Sequence, residues 1–205
     1  MKAQLRLVLA RHGETTANAA DILDTRLPGH PLTEQGHQQA AELAQRLASE
    51  SVVAVYASQA LRAQQTAQPV AAWHGLAVQV LDGVHEVFIG DLEGRQAPDD
   101  HRTLHELYRA WHYGDLDRAR PGGESGKQLL DRYLAGIAAI RSAHRDGTAV
   151  LVSHGAATRL AVVALAANVN GSFTAPRLLP NAATVLLESN GSGWRCLRWD
   201  DIELG

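Results

Sequence analysis

Arg11-His12-Gly13-Glu14-Thr15, with Asn18 close behind, follows the apolar run Leu5-Arg6-Leu7-Val8-Leu9-Ala10. The run has strand length and strand composition. A strand that ends in Arg-His-Gly sets a basic pair at the carboxyl edge of a sheet, where open α/β folds build their sites. Arg11 offers a planar fork of donors suited to phosphate, and His12 a nucleophilic or proton-carrying nitrogen near neutral pH. Gly13 allows a tight turn and a close backbone approach to an anion.

Outward from this stretch, strands and helices alternate. Asp21 to Pro31 holds Pro28-Gly29 and reads as a loop. Thr33 is placed as a helix N-cap, with Ala40, Leu43, Ala44 and Leu47 at helical spacing up to about Ser49. Val52 to Tyr56 is a short β-branched strand, and Ser58 is read as the cap of a helix that faces inward through Leu61, Ala67 and Val70, with Pro69 as a kink or an end. Leu76 to Leu81 reads as a third strand. Residues 84–125 are the least regular, with a helix expected near Leu104 to Trp111 and a break at Pro121-Gly122-Gly123. Leu129, Leu130, Tyr133, Leu134, Ile137 and Ile140 then mark a long amphipathic helix. Thr148 to Ser153 is continuously apolar, as befits a central parallel strand covered on both faces. His154-Gly155 and an apolar helix to about Asn168 follow. Ala183 to Glu188 and Trp194 to Trp199, joined through Asn190-Gly191, predict a closing hairpin. The pattern predicts an α/β fold: three α/β/α layers, a mostly parallel central sheet and an antiparallel edge strand.

At 205 residues the chain makes a single domain spanning 1–205, and 45% hydrophobic against 20% charged residues describes an ordinary globular core. A net charge of −3 supplies no bulk basic field for nucleic acid or an anionic membrane, so any anion must be held by a local cluster. The lone cysteine, Cys196, excludes an internal disulfide framework and a cysteine zinc site, fits a cytoplasmic setting and reads as apolar filler. Lys2 opens the chain, but Arg6 and Arg11 interrupt any apolar leader, and no signal peptide is expected. Leu160 to Val169 is too short to span a bilayer.

Two strands end alike, in Arg11-His12-Gly13 and in Ser153-His154-Gly155. One histidine after a strand is ordinarily a loop residue. Two His-Gly endings, one beside an arginine, predict imidazoles facing one another across a crevice between neighbouring strands.

Further segments stand in order. They are Leu32-Thr33-Glu34-Gln35-Gly36 with Gln39-Ala40, Ser58 with Arg62, Gln65, Thr66 and Ala67, Glu86 with Gly90, Glu93 and Gly94, and Pro121-Gly122-Gly123-Glu124-Ser125. With the two His-Gly endings, and Asn181 as a weaker late match, this ordered set resembles the histidine phosphatase (phosphoglycerate-mutase-like) superfamily, branch 1. Leu92 stands where that family usually has Trp. The resemblance implies a phosphoglycerate-mutase-like fold and a phosphomonoester hydrolase. His12 would be the nucleophile, forming a phosphohistidine. Arg11, Arg62 and His154 would surround the phosphoryl oxygens, and Glu86 would be the proton donor. Thr15, Asn18, Gly13 and Gly155 would contact phosphate or substrate, although Thr15 and Asn18 also suit helix caps. Glu14 would fix the loop. Arg62, in the first turn of its helix, would add its charge to the positive end of the helix dipole. A carboxyl that donates a proton near neutral pH needs a raised pKa, which burial supplies.

The implied partner is a small phosphorylated substrate, with no cofactor or metal, and the chain as a monomer or homodimer. A bisphosphoglycerate-primed mutase is the alternative within the family, but such mutases tend to carry Glu-Arg-His-Tyr-Gly at the acid and a longer basic insertion, whereas Glu86 is followed by Val87-Phe88-Ile89. A silent phosphate-binding module would lack one of the core residues, all of which are present. A metallohydrolase built on His12, His154 and Glu86 lacks a third ligand histidine. Residues 95–120, rich in Arg and His, are expected to roof the pocket, with their charges forming a solvated helix face.

Overall fold

The computed structural model describes residues 4–191 and 193–205; Lys2 lies outside them. β1 (Leu5–Arg11), β2 (Val52–Ala57), β3 (Val78–Val80) and β4 (Gly147–Ser153) run parallel. β5 (Thr184–Asn190), β6 (Gly193–Trp199) and β7 (Ile202–Glu203) complete a seven-stranded sheet in the order β3-β2-β4-β1-β5-β6-β7. β5 joins β1 antiparallel, and β6 and β7 continue the antiparallel side. The expected edge strand is therefore an antiparallel flank of three strands.

Period-two alternation sorts the sheet between two cores. Leu5, Leu7 and Leu9 of β1 pack under α4 (Pro98–His112), α5 (Gly126–Ala143) and α6 (Gly155–Leu165). Val8 and Ala10 pack under α2 (Glu34–Arg46) and α3 (Leu61–Trp73). The chain leaves β1 for β2 over the α2–α3 face and returns from β3 to β4 over the α4–α5 face, inserting β4 between β1 and β2. The carboxyl ends of β1 and β4 thus lie side by side where the chain changes direction, the place such sheets leave for a ligand.

Some expected boundaries move. α4 begins at Pro98, six residues before Leu104, with Pro at its first turn and Asp99 and Asp100 beside the helix N-terminus. α3 runs on past Pro69 to Trp73, and its inward positions are Arg62, Ala63, Thr66, Ala67, Val70 and Ala71, while Leu61 is exposed. Ser58 is not its cap: Ala60 holds that position without a side-chain bond. β3 shortens to three residues on the sheet edge. α6 ends at Leu165. Cys196 is buried in β6, where burial pushes its thiol up to about 11. Among the described residues no helix is long and apolar enough to cross a membrane.

Candidate active site

His12 leaves β1 with its backbone still tied to β4, His12 N–H donating to Ser153 O at 3.1 Å. The adjoining strand ends deliver the second imidazole: the rings of His12 and His154 lie 5.2 Å apart, tilted by 60°. His12 Nδ1 stands 2.7 Å from Gly13 O. A carbonyl only accepts, so Nδ1 carries the proton and Nε2 keeps its lone pair. Burial, and then the charges of Arg62 and Arg11, hold the His12 pKa well below the ordinary histidine range. The imidazole is therefore neutral at physiological pH.

The loop carrying His12 is braced from several directions. Thr66 Oγ1 accepts from Gly13 N–H at 2.9 Å and donates to Arg62 O at 2.7 Å. Gln39 Oε1 accepts from Glu14 N–H, and Glu14 Oε1 accepts from the Thr33 hydroxyl, both at 2.8 Å. Asn181 Nδ2 and Ala182 N–H both donate to His12 O. A Cβ on Gly13 would meet Gly36 O at 2.5 Å, and one on Gly36 would meet Glu14 O closer still, so the start of α2 rests directly on this loop, backbone to backbone.

His12 opens onto a cavity of about 230 Å³ that is also lined by Arg11, Asn18, Arg62, Glu86 and Gly155. Arg11 Nη1 donates to Leu179 O at 2.6 Å, and its buried Nε has no partner among the described residues. Arg62, on the first turn of α3, is only 2% exposed and pairs with Asp24 at 3.2 Å. Burial lowers the pKa of both guanidinium groups, but a guanidinium is basic enough to stay cationic. Glu86 projects to the N-terminus of α6: its Oε2 accepts from Ala156 N–H, and its Oε1 from Ala157 N–H and Val87 N–H, all within 3.0 Å.

Three expected residues are placed differently. Thr15 is buried in a capping box, its Oγ1 accepting from Asn18 N–H and its own N–H donating to Asn18 Oδ1; it does not line the cavity because the four-residue α1 (Thr16–Ala19) uses its hydroxyl. Gly13 spends its N–H on Thr66 and its α-carbon on Gly36. His154 is fully buried against His12, with Nε2 bonded to Ser58 Oγ at 2.7 Å. That bond explains why Ser58 does not cap α3.

A sequence model of the histidine phosphatase superfamily (branch 1) matches residues 7–202. The chain belongs to the histidine phosphatase superfamily. It is 32% identical over 200 residues to a metal-independent phosphoserine phosphatase of Arabidopsis thaliana, covering 96% of this chain and 81% of that one. It is 34% identical over 160 residues to a Salmonella choleraesuis protein named "Probable phosphoglycerate mutase GpmB", covering 75% and 71%. Against a PE-PGRS family protein of Mycobacterium tuberculosis, 31% identical over 214 residues, it spans only 36% of the longer chain. The solved mycobacterial glucosyl-3-phosphoglycerate phosphatase superposes with a TM-score of 0.82 at 27% identity, covering 97% of this chain and 99% of that one.

This histidine phosphatase carries site residues that its motifs do not mark. Arg159 lines the cavity four residues along α6 from Gly155, a spacing that returns to the same helix face. Asp24 and Thr25 come from the loop, which holds no periodic signal. Glu93 fixes that loop by accepting from Thr25 N–H and Oγ1–H at 2.6 Å and from Arg26 N–H at 3.1 Å. Arg132 braces the segment of Glu86, donating to the carbonyls of Gly83, His85 and Glu86 while paired with Glu124 at 2.7 Å. Burial pushes the Glu124 carboxyl up, but the bonds from Arg132 and Phe88 N–H outweigh it and hold the group below its ordinary range. His105 and Tyr108 of α4 line the cavity, whereas Arg102 on the same helix is solvated and pairs with Asp99. Residues 95–120 are thus part roof and part solvated face. Among the described residues no group of three or more His, Cys, Asp or Glu is placed to hold a metal.

The buried histidines make stability depend on pH. Burial, then Arg159, lowers the His112 pKa to about 4, and His12 and His154 are likewise held low by burial. An unfolded histidine titrates near 6.5 (roughly). Below that pH the unfolded chain takes up protons that the folded chain excludes, so stability is complete above about pH 6.5 and declines as pH falls. Thermal melts are expected to show Tm dropping steadily from about pH 7 to about pH 5, with a shallower slope in His112→Gln. A flat Tm across that window would show that the histidines protonate without unfolding.

Proposed function

We propose that this histidine phosphatase hydrolyses a small phosphomonoester through a phosphohistidine on His12. The observation that carries the reading is the Nδ1–H···O bond to Gly13, which leaves the Nε2 lone pair at a cavity walled by Arg11 and Arg62. In the first step Nε2 attacks phosphorus, the bond to the ester oxygen breaks, and Glu86 delivers a proton to that oxygen as it leaves. In the second, Glu86 takes a proton from water as the water attacks phosphorus and the P–N bond breaks, returning neutral His12 and phosphate. Dividing the transfer into two displacements lowers each barrier. Arg11 and Arg62 are fixed charges for the equatorial oxygens, where negative charge spreads in the transition state. Their positions are set in advance by Leu179 O and Asp24, so little reorganisation accompanies the reaction. The relatives named for phosphatase activity support hydrolysis.

A mutase must keep its phosphoenzyme from water while the substrate turns over in the pocket. Here Val87-Phe88-Ile89 follows Glu86, and no long basic insertion precedes Pro121. The protein is to be incubated with 3-phosphoglycerate, with and without catalytic bisphosphoglycerate, and 2-phosphoglycerate quantified against free phosphate. Phosphate release that outruns isomerisation and ignores the primer is expected. Primer-dependent 2-phosphoglycerate in excess of phosphate would assign the chain to the mutase branch.

A further inference from the structure

Arg159 is 5% exposed, yet among the described residues no carboxylate lies within salt-bridge distance of it. Its Nη2 donates to Thr174 O at 3.0 Å and Ala175 O at 2.8 Å, and its buried Nε has no partner among the described residues. Arg11 and Arg62 differ in circumstance, since Asp24 already pairs with Arg62 and both stand beside His12. Arg159 lies at the other end. A second cavity of about 450 Å³ adjoins the first, sharing Arg159, His105, Tyr108 and Leu178, and neither His12, Arg11 nor Arg62 lines it. A guanidinium removed from water with no carboxylate in contact, Glu86 acting on it only across the first cavity, is costly to hold, and two carbonyls offset that cost only partly. A planar anion reaching Arg159 from the cavity would complete its set of acceptors, and a carboxylate matches the guanidinium fork.

We propose that Arg159, with Tyr108 and His105 on the neighbouring α4, is the docking point for a carboxylate on the phosphorylated substrate, so that the preferred substrates are phosphorylated acids rather than neutral sugar phosphates. The assignment rests on the reading of His12 and its arginines as the phosphate end. The phosphoryl group occupies the Arg11–Arg62 end, and the acid lies across the boundary of the two cavities. His105 adds no competing charge near neutral pH, because burial and then the neighbouring cations favour its neutral form. Leu178 and Tyr113, 61% and 60% exposed, leave the outer cavity with an apolar rim that tolerates a larger substituent beyond the acid.

The test compares substrates that differ only in the acid, 3-phosphoglycerate against glycerol 3-phosphate and phosphoserine against phosphoethanolamine. Wild type, Arg159→Gln and Arg159→Lys are assayed on each pair, with thermal melts to confirm folding. Wild type is expected to favour the acid by at least about tenfold in kcat/KM, mainly through KM, the worth of one charged hydrogen-bonded contact. Arg159→Gln should bring that ratio close to one, and Arg159→Lys should retain an intermediate preference. A wild-type ratio of one, or an Arg159→Gln protein that loses both members of a pair by the same factor, overturns the assignment. Calorimetry on His12→Ala and on His12→Ala/Arg159→Gln reads the first pair without turnover. Tighter binding of 3-phosphoglycerate than of glycerol 3-phosphate in the single variant, lost in the double variant, supports the subsite even if the wild type hydrolyses nothing, which would instead remove the hydrolytic reading. Equal binding of the two in the single variant overturns the subsite.

Discussion

Replacing His12 with Ala is expected to lower kcat by at least about ten-thousand-fold, the scale seen when a nucleophile is removed from a unit that acts together. The fold is expected to survive. The His12 ring fills no large part of either core, and its loop is held by backbone and side-chain bonds from Thr66, Gln39, Asn181 and Ala182, none of which uses the imidazole. Alkaline quench of wild type with labelled substrate should trap an acid-labile, base-stable phosphoryl adduct, absent from His12→Ala. EDTA should leave the rate unchanged, and vanadate should inhibit by copying five-coordinate phosphorus. Retained turnover in His12→Ala would remove the covalent mechanism, and a rate lost to chelation would require a metal in the transfer step.

Glu86→Gln keeps the shape of the side chain and removes the transferable proton. Alkyl phosphates, whose leaving oxygen needs that proton, are expected to fall about a hundredfold to ten-thousandfold in the phosphorylation step. An aryl phosphate with an acidic phenol should be nearly spared in the same step, so the ratio of the two substrates is the diagnostic quantity. Single-turnover measurements isolate that step from dephosphorylation. An equal loss on both substrates would assign Glu86 to orientation, a role its bonds to Val87, Ala156 and Ala157 also fit.

The parts of this site legible in the sequence were those attached to strand ends. A strand declares itself by an apolar run, and its last residue is then placed on the sheet edge, so the sequence alone pairs His12 with His154. Arg62 and Glu86 were legible through their motifs. What those motifs do structurally was not: Gln39, Thr66, Thr33 and Asn181 brace the His12 loop over long sequence separations, and no local pattern encodes such a bond. Ser58 shows the ambiguity well, because a serine three residues before a helix looks like a cap, whereas its hydroxyl is engaged by His154 across the sheet edge. Thr15 and Asn18 fall the other way, locked together as a capping box. Asp24 and Arg132 gave no signal, one lying in an aperiodic loop and the other on a helix face that reads as solvated. The start of α4 was hidden by its Pro and Asp residues, which suit a loop and the first turn of a helix equally.

The contact between Gly13 and Gly36 has a bearing on how sequences of this kind can diverge. Side-chain supports drift as cores repack, and whatever they support drifts with them. Here the wall behind His12 is main chain pressed on main chain, whose dimensions no substitution elsewhere alters. Mutational freedom is therefore divided unevenly over the pocket. The aim of His12 is insulated from change in the outer cavity, so residues such as Leu178 and Tyr113 are free to vary with the ligand. The exception is a methyl group at Gly36, more than a turn of helix and a whole loop away in sequence, which would press on the His12 loop as directly as a change beside His12 itself.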